Sequence, residues 1–129
     1  MWIFTRYGFY SIACADAAGG GMDPHTVIIR ARRRSHLEKL QERFAPLART
    51  QIKVTAGRDY RYRIVVPKQV WVGIVSELAQ EQEWSNFKNE ATRYQGTPGA
   101  DYARALDEDW STMHRFQEKE KDRPGAAPR

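Results

Sequence analysis

Trp2-Ile3-Phe4-Thr5-Arg6-Tyr7-Gly8-Phe9-Tyr10-Ser11-Ile12-Ala13-Cys14 is the stretch on which the fold turns. Trp2 and Phe4, then Phe9, Ser11 and Ala13, alternate with Ile3 and Thr5, then Tyr10, Ile12 and Cys14. That period of two is the mark of a strand, and Gly8 lies between the two runs where a bulge or kink fits. A single long strand over residues 2–14 is the expectation. The glycine-rich stretch 16–24 that follows is a flexible connection, because it lacks the Lys-Ser/Thr ending of a phosphate loop. Residues 26–32, with Thr26, Val27, Ile28 and Ile29 β-branched, read as a second strand antiparallel to the first.

Farther out, Ser35-His36-Leu37-Glu38 fits a capping box and starts a helix whose stripe is Leu37, Leu40, Phe44 and Leu47, with Pro46 limiting its length. Residues 52–55 and 60–66 alternate around Ala56-Gly57-Arg58-Asp59 and predict a hairpin. Pro67 opens a second helix with Val70, Trp71, Ile74, Val75 and Leu78 on one face. Ser85 or Asn86 caps a short helix, residues 95–99 break it, and Asp101 caps a last one carrying Tyr102, Ala105, Leu106, Trp110 and Met113 on one side. Strands and helices in this order predict an α+β two-layer sandwich: a four-stranded antiparallel sheet with helices on one face, ferredoxin-like or related, plus an extra C-terminal helix. Residues 1–117 form one domain, and 118–129 are a charged, Pro/Gly/Ala-rich tail expected to be flexible.

The 129 residues are 41% apolar and 12% aromatic, enough for one core and too few for a multidomain machine. A single cysteine, Cys14, excludes a disulfide framework and, at a strand end in small apolar company, reads as a buried inert thiol in a reducing cytoplasm. Three scattered histidines give no metal-ligand spacing, so neither metal nor cofactor is expected. No apolar run is long enough to cross a bilayer, and with Arg6 as its sole early charge the start of the chain is a poor secretory leader. Net charge is +5, unevenly spread. Residues 1–70 carry 13 Lys and Arg against 5 Asp and Glu, and residues 71–129 carry 8 against 11. A basic and an acidic surface on one body suit an anionic partner or self-association.

Three stretches, residues 1–11, Asp59-Tyr60-Arg61-Tyr62-Arg63 and Asn86-Phe87-Lys88-Asn89, taken together resemble a family of small bacterial proteins to which no activity is attached. The likeness covers nearly residues 1–117. It implies a bacterial, cytoplasmic, single-domain protein and transfers no catalytic residue.

The arginines carry the functional expectation. If Tyr60, Tyr62, Ile64 and Val66 face the helices, Arg61 and Arg63 face away from them, and by the same alternation Arg30 and Arg32 leave Val27, Ile29 and Ala31 inward. Four guanidinium groups then share one uncovered sheet surface, each able to hold a phosphate or carboxylate bidentately. Base stacking needs an aromatic beside them. Either Tyr7 with Tyr10, or Phe9 with Trp2 and Phe4, must point that way, and Tyr10 is the expected one. The RNP pattern of an RRM is absent, so the expectation is generic: a non-enzymatic binding protein whose arginine-rich sheet face takes an anionic partner, nucleic acid first. The alternative is a small regulatory or inhibitor protein, monomeric or homodimeric, that presents the same surface to an acidic protein. Solvated arginines that merely blunt a sheet edge are the competing structural account.

No catalytic constellation emerges. A small nuclease or phosphate hydrolase needs clustered carboxylates or a placed histidine, whereas His25, His36 and His114 all read as exposed. Asp59 reads as a turn former, and Trp84, Phe87 and Tyr94 as packing. Lys88, with Asn86, is the remaining polar candidate, placed to frame a cleft with Asp59 and Arg61.

Overall fold

Arg6 and Tyr7 turn the chain back on itself, so residues 2–14 form two strands. In this computed structural model, which describes residues 1–120, β1 (Trp2–Thr5) and β2 (Gly8–Asp16) are antiparallel partners, with Trp2 opposite Ser11 and Phe4 opposite Phe9. The Thr5 hydroxyl holds this turn, accepting the N–H groups of Tyr7 and Gly8 at 3.1 Å each and donating to the Gly8 carbonyl at 2.9 Å. Gly8 thus marks a turn and not a kink. β3 (Met22–Ala31) pairs with β2, with a bulge between Cys14 and Ala15. The expected hairpin forms from β4 (Lys53–Val54) and β5 (Tyr62–Pro67), and β5 closes onto β3.

The result is an α+β fold with an antiparallel sheet of five strands, not four, in the order β1-β2-β3-β5-β4. The chain runs β-β-β-α-β-β-α, not the split β-α-β-β-α-β of a ferredoxin-like arrangement. The extra N-terminal turn accounts for the fifth strand.

α1 (Arg34–Arg43) and α2 (Lys68–Gln80) pack on one face of the sheet. Leu37 and Leu40 are buried as their spacing predicts, and Phe44 and Leu47, expected on the same helix, are buried beyond its end, Leu47 in a short 3-10 turn; all four pack against Tyr10, Ile12, Val27, Ile29, Ile64 and Val66 from the strands. The capping box does not form. Arg33 occupies the cap position without a side-chain bond, and Ser35 lies inside the first turn.

α3 (Phe87–Gln95) and α4 (Ala100–Glu118) build a second, smaller core from Ala91, Tyr102 and Leu106 with Phe9 and Phe87. Asn86, one of the two expected caps, accepts the Asn89 N–H at 3.0 Å, whereas Asp101 stands within the first turn of α4 behind Gly99. Asn86→Ala is expected to lower stability by about 1 kcal/mol, read as an earlier urea midpoint. On α4 only Tyr102 and Leu106 are buried, and Trp110 and Met113, expected on the same packed side, are exposed. The tail expected over 118–129 lies outside the described residues from 121 onward.

Arg6 ties this second core to the first. Its guanidinium bonds Glu90 at 2.9 Å, lies 3.6 Å from Glu81, and stacks over Trp84 and Tyr94. Tyr7 donates to Glu81 at 2.8 Å, Gln95 donates to the Arg6 carbonyl at 2.9 Å, and Tyr102 donates to the Thr5 carbonyl at 2.7 Å. Hydrogen bonds from Arg93 and Arg6 hold the Glu90 carboxyl down at about 2.

Candidate anion-binding face

Cross-strand register decides what the face opposite α1 and α2 presents. Residues directly paired in an antiparallel sheet project to the same side, so the pairs Trp2 with Ser11, Ser11 with Arg30, Arg30 with Arg63, and Arg63 with Lys53 form one row across all five strands. With strands about 4.8 Å apart, this row runs roughly 19 Å from an indole at one end to an ammonium at the other. A parallel row carries Phe4, Phe9 and Arg32: Phe4 stacks on Phe9 at 4.5 Å, and the Arg32 guanidinium lies 5.6 Å from the Phe9 ring.

Tyr60 joins both rows. Expected to face the helices, it lies instead on the open side, its ring 4.9 Å from the Arg30 guanidinium and 4.5 Å from that of Arg32. Pairing in β5 begins at Tyr62, so Tyr60 is outside the ladder and free of its alternation. The ring is 5% exposed, and its hydroxyl has no hydrogen-bond partner among the described residues. The Nε atoms of Arg30 and Arg63 are likewise buried and unpartnered. Around them is an open groove of about 550 Å³ lined by Trp2, Ser11, Arg30, Arg58, Tyr60 and Arg63 among others.

Of the six residues expected at the site, three meet there. Arg30 and Arg63 are directly paired, and neither makes an ion pair among the described residues. Arg30 donates one hydrogen bond to the Ser11 hydroxyl at 2.8 Å, which aims the guanidinium along the row. Arg32 is beside them, with a loose exposed contact to Asp59 at 3.5 Å. Arg61 is exposed ahead of β5 and makes no side-chain bond among the described residues.

Tyr10 and Lys88 are elsewhere. Tyr10 faces the helices, fully buried, and donates to the His36 carbonyl at 2.6 Å, and burial pushes its hydroxyl well above the usual range. The turn at Arg6 and Tyr7 fixes the other register, so Trp2, Phe4 and Phe9 are the aromatics on the open side. Lys88 bonds Asp107 at 2.8 Å and lies 5.0 Å from the Trp110 ring, which ties α3 to α4. Asn86 is spent on its cap and Lys88 on Asp107, so neither is free to frame a cleft with Asp59 and Arg61. Sequence reasoning missed Lys53, Ser11 and Tyr60. Register between β4, β5 and β2 places the first two, and no single-strand pattern contains it.

The remaining chemistry is sparse. A second cleft of about 340 Å³, lined by Ile3, Leu78, Trp84 and Phe87 with Arg6 and Glu81, is mostly apolar, and its two charged groups are bonded already. Among the described residues no group of three or more His, Cys, Asp or Glu is placed to hold a metal ion, and no helix is long and apolar enough to cross a membrane. Cys14 is half-buried at the bulge. His36 is buried, not exposed: its Nδ1 accepts the Phe9 N–H at 3.3 Å. Burial, with the charges of Arg33 and Lys39, brings its pKa down to about 4, so the ring is neutral. His25 and His114 are exposed. No protein-family model, curated protein or solved structure matches the chain. The functional reading therefore rests on this geometry.

Proposed function

We propose that the protein is a non-enzymatic binding protein whose open sheet face takes an anionic partner, nucleic acid first. The observation that carries this reading is the unbroken line of cations Arg30, Arg63 and Lys53 on three adjacent strands, none of them in an ion pair among the described residues. Adjacent like charges repel, and an antiparallel sheet that sets two arginines directly opposite each other loses stability by doing so. A bound phosphate backbone relieves that repulsion, and the bidentate donor geometry of guanidinium suits it. Edge protection against aggregation, the competing account, does not explain Arg30 and Arg63, because β3 and β5 are interior strands.

The test is a salt titration of oligonucleotide binding by fluorescence anisotropy. Phosphate neutralisation gives a steep linear fall of log affinity with log salt concentration. Arg30→Gln/Arg63→Gln is expected to weaken binding at least about tenfold and to reduce the slope by about two, with an unchanged circular dichroism spectrum. Flat or absent binding at about 50 mM salt removes nucleic acid as the partner and leaves an acidic protein surface as the remaining class.

A further inference from the structure

We propose that the open face is built for single-stranded nucleic acid, laid across the strands with a base against Trp2 and its phosphates on Arg30, Arg63 and Lys53; this rests on the function proposed above. Trp2 is 71% exposed and adjoins Phe9 only edge-on, at 6.1 Å and 84°. Large aromatic side chains normally contribute by being buried, and this one contributes little to either core. It stands instead at the head of the cationic row, two strands, or about 10 Å, from Arg30. Phe4, 40% exposed on the same side and stacked on Phe9, extends the aromatic end. The groove between the aromatic and cationic ends holds the second observation. Tyr60, Arg30 and Arg63 line it, and the Tyr60 hydroxyl and the Nε–H groups of the two arginines are buried without a partner among the described residues. Apart from the Arg30 bond to Ser11, neither guanidinium spends its donors on another side chain among the described residues, so the outer N–H groups are left for a ligand in that groove.

Strandedness follows from the order of these groups. In a duplex the base faces are stacked on one another and cannot meet an indole, whereas a single strand offers them freely and leaves its phosphates on the other side.

The experiment compares three probes by anisotropy or competition: oligo(dT) of about 12 nucleotides, a duplex of about the same length, and inorganic polyphosphate, which has charge without bases. Oligo(dT) is expected to bind best. Trp2→Ala should weaken oligo(dT) about tenfold while leaving polyphosphate competition unchanged, and Trp2→Phe should restore most of the loss, because the contact is a stacking one. The exposed position makes both variants expected to fold, checked by circular dichroism. If oligo(dT) and duplex bind equally and Trp2→Ala has no effect, the single-strand proposal is overturned while the anionic-partner reading stands. If none of the three probes binds, the single-strand proposal and nucleic acid as the partner fall together, and an acidic protein surface is left.

Discussion

Gly8→Ala is expected to cost at least about 3 kcal/mol and to lower the melting temperature by roughly 10 °C or more. Two effects act together. Gly8 has φ of +155°, which L side chains rarely adopt, and a Cβ built there would be 2.3 Å from Cγ and 2.6 Å from Nδ1 of His36. The ring cannot retreat cheaply. Its Nδ1 is the acceptor of the Phe9 N–H, and its other side is packed 4.9 Å from the Tyr102 ring. Accommodating the methyl therefore breaks a bond in the first core and disturbs the second. Thermal unfolding of the variant followed by circular dichroism is the measurement, and a change within about 1 kcal/mol would show that the hairpin tip yields more easily than its packing implies.

Acid should destabilise the native protein well before its carboxylates protonate. In the unfolded chain His36 titrates near 6.5, whereas in the fold burial, then Arg33 and Lys39, hold it at about 4. Between those values the unfolded state binds the proton and the folded state does not, so stability rises with pH through that window. The full contribution of the neutral ring, about 3 kcal/mol, is present above pH 6.5 and is withdrawn as pH falls toward 4. Glu90, held at about 2 in the fold against an ordinary 4.5, withdraws its contribution mainly below pH 4.5, at the acid edge of this window. Urea midpoints measured from pH 7 to pH 4 should therefore fall steeply for the native protein. His36→Gln keeps an acceptor for Phe9 but takes up no proton, so its midpoints should be lower at neutral pH and much flatter across the window. Parallel slopes for the two proteins would assign the acid sensitivity to other groups.

Legibility differed sharply between layers of the molecule. The helical stripes could be read because Leu37 and Leu40 on α1 and Trp71, Ile74 and Leu78 on α2 state their own period, although Phe44 and Leu47 fall beyond the end of α1, and the β4–β5 hairpin announced itself through Gly57 and the alternation on both sides. The N-terminal pair could not be read, since the change of phase between Phe4 and Phe9 fits a bulge at Gly8 as well as a turn, and only the side-chain bonds of Thr5 distinguish turn from kink. That one ambiguity reversed the aromatic face, burying Tyr10 and exposing Trp2. Arg30 and Arg63 were legible as outward-facing residues, but their direct pairing, and that of Lys53, is a property of register between strands distant in sequence. Lys88 failed for a related reason: its partner Asp107 is on another helix, and no local pattern connects them.

The two hydrophobic clusters are unequal, and apart from the exposed Arg33–Asp101 contact the smaller one is held mainly through the Thr5–Phe9 tip and its bonds to Glu81, Glu90, Gln95 and Tyr102. Subglobal opening free energies follow such boundaries, so α3 and α4 can detach as one cooperative unit while β2, β3 and β5 stay hydrogen-bonded. Arg30 and Arg63 sit on strands of the portion that stays bonded, and those interior strands keep their spacing through excursions that would erase a surface shared between both clusters.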